Sequence, residues 1–380
     1  MRIGIITILK VNNYGAELQA YATQAALRRL GYDAEIIDYL FYKNPGHIPT
    51  AKSAPLFKFP LKKRLAERLY PIIAKMRSSG NGDAAKRRAG RFASFHERNT
   101  SMSATYRTID DLYGAKLDYD VYLTGSDQVW NPGIYSSVDP YFLGFAPEGC
   151  RRVAYAASFG VSSIPEDARE YYGSRLRHYD AIGVREKGAV EMVSGLSGCE
   201  AQWVLDPTLL LTSDQWARVA SPVGADQPYI LIYELTPCPY IRRLAEHISA
   251  SKGWKIVRVC KSAAIEDKDG KIDNITDAGP AEFIGLFARA GYVVTNSFHG
   301  TAFALNFGRQ FYTVLPLRKQ NNSRQRSLLE LFGLTNRLLV EGDELPDVTR
   351  KVDYKAVDAL LDSERAKSLK FLKGAIDGRE

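Results

Sequence analysis

The residues best suited to acid–base chemistry lie in VTNSFHGT, residues 294–301, which includes one of only five histidines in the chain. His299 follows a short apolar strand pattern and precedes Gly300, where a helix is predicted to begin. We therefore place His299 in a turn beyond the carboxyl end of a strand, where open α/β sheets hold ligands. The backbone N–H groups of Gly300 and Thr301 would open the helix and attract an anion. Beside that anion His299 can donate a proton; a structural histidine is the alternative.

A second polar cluster follows another strand pattern, in YLTGSDQVWNP at residues 122–132. Its predicted turn contains Gly125, Ser126, Asp127, Trp130 and Asn131. An exposed indole at Trp130 can stack on a pyranose ring, while Asp127 and Asn131 bond to its hydroxyl groups. This combination predicts a sugar-binding turn. The alternative is an ordinary turn with Asx-type bonds and a core tryptophan.

The stretch NNYG, residues 12–15, lies between the first strand pattern and a helix pattern. Asn13 can cap the helix, Gly15 can form a tight turn, and Tyr14 stands between them. Free N–H groups at the helix start would then face a ligand. There is no GxGxxG spacing, so a dinucleotide fingerprint is absent. An ordinary capped turn and a ligand-binding loop both remain open.

Three arginines are candidates for holding an anion. Arg185, in GVREKGAV, follows a strand pattern and can grip a carboxylate or phosphate with two parallel hydrogen bonds. Ion pairing with Glu186 or Glu191 is the alternative for that residue. Arg318 and Arg324 precede an apolar helix in RKQNNSRQRSLLELFGL, where a solvated basic loop is the alternative.

The elements that must position these residues alternate between strand and helix patterns, beginning with a βαβ unit that starts a parallel sheet. The predicted architecture is a pair of doubly wound, Rossmann-like α/β domains with a cleft between them. We place an N-terminal domain at 1–212 with a basic helical insertion at about 45–105, and a linker at 213–227. A second domain spans 228–350. An amphipathic helix at 351–380 is expected to pack back on the N-terminal domain.

Length and composition favour a globular protein and argue against a membrane-spanning or disulfide-rich one. With 380 residues, 45% hydrophobic and 25% charged, the chain is a globular protein of about two domains. No apolar run approaches the ~20 residues of a membrane span, and MRIGIITIL is read as a buried strand, so we expect a cytoplasmic protein. The four cysteines lie far apart without a CxxC pair, which argues against a zinc site or disulfides. No metal cluster appears either, and we predict that none is needed.

Taken together and in this order, these motifs resemble the polysaccharide pyruvyl transferase family from about Met1 to Gly333. The matching stretches are NNYGAELQAYA, DYDVYLTGSDQVWNP, YAASFG, VREKGA, VLDPTLLL, NSFHGTAFALNFG and NNSRQRSLLELFGL. The resemblance implies a fold like the two-domain GT-B glycosyltransferases. It also implies transfer of the pyruvyl group of phosphoenolpyruvate to two hydroxyls of a sugar. The product would be a cyclic ketal on a cell-surface polysaccharide precursor, and phosphate would leave without any further cofactor.

The family holds its donor with an arginine like Arg185 and with an Arg-Leu-His-Gly stretch. Here Ser297 and Phe298 stand where that pattern has Arg and Leu, while His299 and Gly300 match it. The charge that Ser297 lacks can come from Arg324 or Arg318. These residues form the predicted donor side, and the NNYG and GSDQVWN turns form the acceptor side.

The residues also suggest a mechanism. Phosphoenolpyruvate carries a carboxylate and a phosphate, which Arg185, Arg324 and the helix start at Gly300 can hold. We expect His299 to protonate the vinyl carbon and Asp127 to accept a proton from a sugar hydroxyl.

Two other functions are compatible with parts of the sequence. A glycosyltransferase with a nucleotide-sugar donor would suit the same fold, with Glu330 as a weak candidate for binding ribose. A non-enzymatic nucleic-acid-binding protein would suit the net charge of +8, but no RNP, KH or zinc-finger pattern supports it. We therefore expect no nucleic-acid partner, and oligomeric state is left open.

The charge itself is concentrated. Lys43 to Arg107 holds 15 Lys/Arg against three acidic residues, a local balance of +12. If the acceptor sugar is linked to a lipid, this basic region at 45–105 can make a peripheral contact with an anionic membrane surface. A solvated basic face is the alternative.

Overall fold

The computed structural model describes residues 1–53, 82–134, 136–222, 227–261, 269–317 and 323–378. The described chain forms two compact units. The first contains Met1–Asn81, His96–Leu210 and Glu364–Glu380, and the second contains Gly82–Phe95 and Leu211–Ser363.

The first unit is built on a six-stranded parallel sheet with the order β2-β1-β3-β4-β5-β6. Its elements in chain order are β1 (Arg2–Ile6), α1 (Tyr14–Arg29), β2 (Asp33–Ile36), the end of α2 (Asp83–Asn99), α3 (Ile109–Gly114), β3 (Val121–Thr124), β4 (Arg151–Ala157), α4 (Glu166–Leu176), β5 (Ala181–Val184), α5 (Lys187–Ser197) and β6 (Gln202–Trp203). The central strands are almost wholly apolar and buried, as expected for a parallel sheet covered on both faces.

The second unit holds another six-stranded parallel sheet, with the order β12-β11-β10-β7-β8-β9. Its elements are α6 (Ser213–Ala217), β7 (Tyr229–Tyr233), α7 (Pro239–Lys252), β8 (Lys255–Val259), β9 (Ile272–Ile275), α8 (Pro280–Arg289), β10 (Tyr292–Thr295), α9 (Phe298–Asn306), β11 (Gln310–Leu315), α10 (Ser323–Leu331), β12 (Leu338–Val340) and the first part of α11 (Tyr354–Asp377). The two sheets confirm the predicted pair of doubly wound α/β domains.

The division of the chain differs from the predicted domain limits in two helices. Residues 82–95 of the basic region belong to the second unit, whereas we had placed the whole region in the first domain. Helix α11 is counted with the second unit up to Ser363 and with the first unit from Glu364. Residues 54–81 of the basic region lie outside the described residues.

Each sheet has one point where the chain order reverses. In the first sheet this point lies between β1 and β3, and in the second it lies between β7 and β10. Ligands of open α/β sheets bind outside the carboxyl ends of the strands at such a point. Both sequence clusters follow strands that flank these points, since Asp127 comes after β3 and His299 comes after β10. No helix in the described part of the chain is both long and apolar enough to cross a membrane.

Candidate functional site

Backbone strain marks the carboxyl edge of the first sheet. Lys10 and Asn12 after β1 have φ values of 55° and 51°, and Asp127 after β3 has a φ of 73°. Ala156 near the end of β4 has a φ of 53°, where the pairing of β4 with β5 shifts register. Side chains with a Cβ rarely adopt this conformation, and such strain concentrates at functional sites. Four of the five non-glycine residues with positive φ in the described chain therefore surround one sheet edge.

A buried ion network lies at the same edge, around Arg185. Its side chain is 1% exposed, and Nη1 donates to Oδ2 of Asp206 at 2.9 Å. Nε donates to Oε1 of Glu186 at 3.4 Å, and Nη2 lies 3.7 Å from Oδ1 of Asp127. Burial disfavours the charge of Arg185, but the three carboxylates outweigh it and raise the pKa of the guanidinium. One cation thus holds three anions together.

Further hydrogen bonds fix the two inner carboxylates. Oδ1 of Asp206 accepts from the N–H and the hydroxyl of Thr208 at 2.9 and 2.7 Å. Oε1 of Glu186 accepts from the hydroxyl of Ser158 at 2.6 Å. Asp127 is the most exposed of the three, with 17% of its side chain accessible. The network therefore presents one carboxylate, that of Asp127, toward the edge of the sheet.

These contacts correct the prediction for Arg185. A nearly inaccessible guanidinium among three carboxylates cannot offer two parallel hydrogen bonds to a donor anion in this arrangement. The alternative, an ion pair with Glu186, is present, whereas the described contacts of Arg185 do not include Glu191. Sequence reasoning missed Asp206 and Ser158. The position of Asp206 directly after a strand pattern, in VLDPT, was a signal that could have identified it.

The turn after β3 is joined to helix α1 by a chain of buried polar groups. The hydroxyl of Ser126 donates to Asp206 at 3.3 Å, and its carbonyl accepts from the hydroxyl of Thr7 at 2.8 Å. Nε2 of Gln19 in α1 donates in turn to the oxygen of Thr7 at 2.8 Å. Gly125 packs closely on β1, since a Cβ at this position would stand 3.1 Å from that of Thr7. The packing of Gly125 and the hydrogen bonds of Ser126 thus fix the turn that carries Asp127.

Trp130 is wrong as a predicted sugar platform. The indole is fully buried, stacks on Phe142 at a centroid distance of 5.2 Å, and donates from Nε1 to the carbonyl of Tyr141 at 3.0 Å. Asn131 uses its side chain within the turn: Nδ2 donates to Gln128 at 2.6 Å and Oδ1 accepts from the N–H of Gly133 at 2.7 Å. The alternative of Asx-type bonds and a core tryptophan describes this turn.

The NNYG stretch forms the predicted cap, but its N–H groups are already used. The side chain of Asn13 accepts from the N–H groups of Gly15 at 3.0 Å and Ala16 at 3.4 Å. Tyr14 is buried as the first residue of α1. These two N–H groups are therefore not available to an anion. The expectation that free N–H groups at this helix start face a ligand is wrong for these two groups. The side chain of Asn13 is exposed.

Two lysines that sequence reasoning did not select lie in this part of the first unit, Lys10 after β1 and Lys43, whose charge interacts with Asp127. Nζ of Lys10 pairs with Asp38 at 2.5 Å, and the carbonyl of Lys10 accepts from Asn44 at 2.8 Å. Desolvation lowers the pKa of the Lys43 ammonium, and the negative charge of Asp127 acts in the opposite direction. The first sheet's edge therefore presents the partly exposed carboxylate of Asp127 and the exposed amide of Asn13, groups that can bond to hydroxyls of a ligand.

At the edge of the second sheet, α9 begins at Phe298, so His299 lies in the first turn of the helix and not in the turn before it. Ser297 is the N-cap: its hydroxyl accepts from the N–H of Gly300 at 3.3 Å, and its carbonyl accepts from the N–H of Thr301 at 3.0 Å. The anion site predicted at Gly300 and Thr301 is wrong, because both N–H groups are already bonded. Gly300 instead allows close packing, since a Cβ there would stand 2.3 Å from Oγ1 of Thr295.

The start of α10 lies against the same turn. Nε2 of Gln325 donates to the carbonyl of Asn296 at 3.3 Å, and the side chain of Asn296 bonds to the N–H of Leu235 at 2.8 Å. Arg324, the neighbour of Gln325, is buried. Arg324 is thus next in sequence to a residue that contacts the turn before His299, while Arg318 lies outside the described residues. Phe298 is buried against His299, with ring centroids 5.3 Å apart.

Helix α2 accounts for part of the basic region. Arg87 pairs with Asp277 at 2.9 Å, and Arg91 pairs with the same carboxylate at 3.3 Å. Arg88 donates to the carbonyls of Lys261 and Thr276 at 3.2 and 3.1 Å. These three arginines bind carboxylate and carbonyl groups of the second unit. Within the described ranges, no group of three or more His, Cys, Asp or Glu side chains could hold a metal ion.

Comparison with known proteins gives one clear relationship. The family model described as polysaccharide pyruvyl transferase matches residues 13–316, most of the chain. No curated protein matches. Similar solved structures include a putative UDP-N-acetylglucosamine 2-epimerase from Listeria monocytogenes, at 11% identity and a TM-score of 0.49, covering 97% of this chain and 90% of that one. Another is the heptosyltransferase WaaC of E. coli with ADP, at 13% identity and a TM-score of 0.42, covering 96% and 100%.

Proposed function

Because the chain belongs to the polysaccharide pyruvyl transferase family, and is therefore a transferase, we propose that it uses phosphoenolpyruvate to form a cyclic pyruvate ketal on a sugar. The acceptor would be a lipid-linked precursor of a surface polysaccharide. The observation that carries this proposal is the place of His299, in the first helical turn after β10 at the reversal point of the second sheet.

The reaction needs an acid and a base. His299 would protonate the vinyl carbon of phosphoenolpyruvate, which makes the adjacent carbon electrophilic. A sugar hydroxyl attacks that carbon and gives its proton to Asp127. A second hydroxyl then displaces phosphate, which carries away that hydroxyl's proton, and the ketal closes. The proposal for Asp127 is supported by its partial exposure and by the network around Arg185 that fixes its position.

The donor needs cationic partners, and Arg324 is our choice for the charge that Ser297 lacks. Ser297 is buried and acts as the cap of α9, so a long basic side chain at this position would have to leave the core. Arg324 lies beside Gln325, which contacts the residue preceding Ser297. Asn13 and Asp127 remain the proposed acceptor contacts at the first sheet.

The decisive measurement is phosphate release from phosphoenolpyruvate with a panel of lipid-linked and nitrophenyl sugars, with mass spectrometry of the product. We expect phosphate and a ketal in equal amounts. Release of a nucleotide from a nucleotide-sugar, with no reaction of phosphoenolpyruvate, would favour a glycosyltransferase instead.

Replacing His299 tests its role. We expect His299→Ala to lower turnover by about 10²–10⁴-fold because the general acid is lost. His247→Ala, in the same unit but bonded to the carbonyl of Pro346, is the matched control and should retain activity. Near-normal turnover in His299→Ala would remove the histidine from the mechanism.

A further inference from the structure

A large cavity lies in the first unit, with a volume of about 1350 Å³. Its walls are α5 and the part of α11 after Glu364, and its floor includes Ala181 and Ile182 of β5 and both residues of β6. Strand β6 is the edge of the sheet, so the cavity opens beside an edge and not at the carboxyl ends of β1 and β3. Neither the family relationship nor the proposed reaction assigns anything to this place.

Two aromatic side chains form part of the cavity wall. Trp203 is half-buried, and its Nε1 donates to the carbonyl of Arg185 at 3.1 Å, which fixes the orientation of the indole. Phe371 lies against the sheet at Gly183, where a Cβ would stand 2.6 Å from the ring. The cavity therefore has fixed apolar surfaces that a ring of a ligand can cover.

Charged side chains of both signs surround these rings. Lys187, Glu191, Glu200 and Lys370 all line the cavity and are exposed. In the part of the chain that the structure describes, none of the four has an ion-pair or hydrogen-bond partner. Ammonium groups donate hydrogen bonds and carboxylates accept them, so the cavity offers both functions to one ligand.

We propose that this cavity binds an oligosaccharide chain. Sugar hydroxyls both donate and accept hydrogen bonds, which matches ammonium and carboxylate groups around two aromatic surfaces. The charges of Lys187 and Lys370 balance those of Glu191 and Glu200, so these four groups do not favour a strongly anionic ligand. A purely apolar ligand would use only the two aromatic surfaces and none of the four charged groups. The volume exceeds the range of about 300–1,000 Å³ that is usual for small-molecule pockets, as expected for several linked sugars.

This inference goes beyond the proposed reaction, because it adds a saccharide contact away from the acceptor residues. The contact would hold a longer glycan on the first unit independently of phosphoenolpyruvate. A ligand stacked on Trp203 would contact a residue that is hydrogen-bonded to the backbone of Arg185, the centre of the ion network.

The test measures binding without turnover. The full chain, without phosphoenolpyruvate, is screened on a glycan array, and the dissociation constant of the best oligosaccharide is measured by calorimetry. We expect Trp203→Leu and Lys370→Ala each to weaken binding by about three- to tenfold. Lys370 has no contact with Arg185, so its variant separates the cavity from the ion network. Trp254→Leu, a half-buried tryptophan of the second unit, is the matched control.

Asp127→Asn removes any glycan binding that depends on the proposed acceptor contact, so Trp203→Leu and Lys370→Ala should weaken the remaining binding by the same factor in the Asp127→Asn background. Binding that is lost in Asp127→Asn but kept in Trp203→Leu would overturn the proposal, as would an array on which no glycan binds. Concentration-dependent dimerisation abolished by Lys370→Glu would show that a second copy covers the cavity, and would also overturn it. Because no step requires phosphoenolpyruvate, these outcomes do not depend on the proposed reaction.

Discussion

The guanidinium of Arg185 stabilises the first unit by holding Asp127, Glu186 and Asp206 at one place. We predict that Arg185→Ala lowers the free energy of unfolding of this unit by about 3–5 kcal/mol, because it leaves buried carboxylates without a cation. Urea unfolding followed by circular dichroism measures the change.

Arg177→Ala is the matched control for that measurement. Arg177 pairs with Glu170 at 3.4 Å, but both side chains are largely exposed, so the expected change is below about 1 kcal/mol. An Arg185→Ala variant as stable as Arg177→Ala would rule out the structural role of Arg185 and would leave anion binding as its function.

Arg324 and Arg326 lie on the same helix but in different surroundings. Arg324 is buried near the turn that precedes His299, whereas Arg326 is exposed. We expect Arg324→Ala to raise the KM for phosphoenolpyruvate by about tenfold or more, since a charge-assisted hydrogen bond contributes about 1.5–3 kcal/mol. Steady-state kinetics at saturating acceptor provide the measurement. An equal effect of Arg326→Ala would indicate a general loss of positive charge and not a contact with the donor.

Individual residues show what the sequence could not reveal. Trp130 was read as exposed because polar residues surround it, yet its indole packs on Phe142 in the core. Ser297 was read as a missing charge, whereas it caps a helix. Sequence spacing placed Asp127 and His299 at the correct edges, because the end of a strand can be read from its apolar pattern. Whether a side chain points outward depends on distant residues.

At the scale of elements, the packing of α9 on β10 depends on Gly300. A Cβ at this position would stand 2.3 Å from Oγ1 of Thr295, so Gly300→Ala must displace the helix that carries His299. We predict a loss of about 1–3 kcal/mol in stability together with reduced turnover. Thermal unfolding and phosphate release report the two effects.

Gly195→Ala in α5 is the matched control, because no atom lies within 4 Å of a Cβ there. Alanine has the higher helix propensity, so this variant should be neutral or stabilised by up to about 1 kcal/mol. Full activity and unchanged stability in Gly300→Ala would show that α9 does not need this close contact.

The strands that sequence patterns missed are short edge strands. β9 contains the polar residues Asp273 and Asn274, and β12 has only three residues. The mostly apolar stretch AQWVLDPTLLL, residues 201–211, predicts a long strand, but β6 covers only Gln202 and Trp203. There Asp206 and Pro207 begin a short helical turn instead. Central strands were predictable because burial on both faces makes them continuously apolar, while edge strands lack that signal.

At the scale of the whole molecule, helix α11 contributes to both compact units. Its later residues belong to the first unit, where Ser368 accepts from the N–H of Leu205 at 3.0 Å and Leu372 is fully buried. Its earlier residues belong to the second unit, where Val357 is buried. The predicted terminal helix at 351–380 is close to the observed helix Tyr354–Asp377. The sequence could not predict that this helix is shared by two units, because its amphipathic pattern is continuous.

This division predicts that two substitutions in one helix destabilise different units. Leu372→Ala should lower the stability of the first unit by about 2–5 kcal/mol through a core cavity. Val357→Ala should lower that of the second by about 2 kcal/mol. Hydrogen exchange read by mass spectrometry separates the effects, because β1 and β3 report the first sheet while β7 and β10 report the second. Each variant should accelerate exchange mainly in its own sheet. Equal acceleration in both sheets by either variant would mean that the two units unfold as one cooperative body, and would contradict the assignment of α11 to two cores.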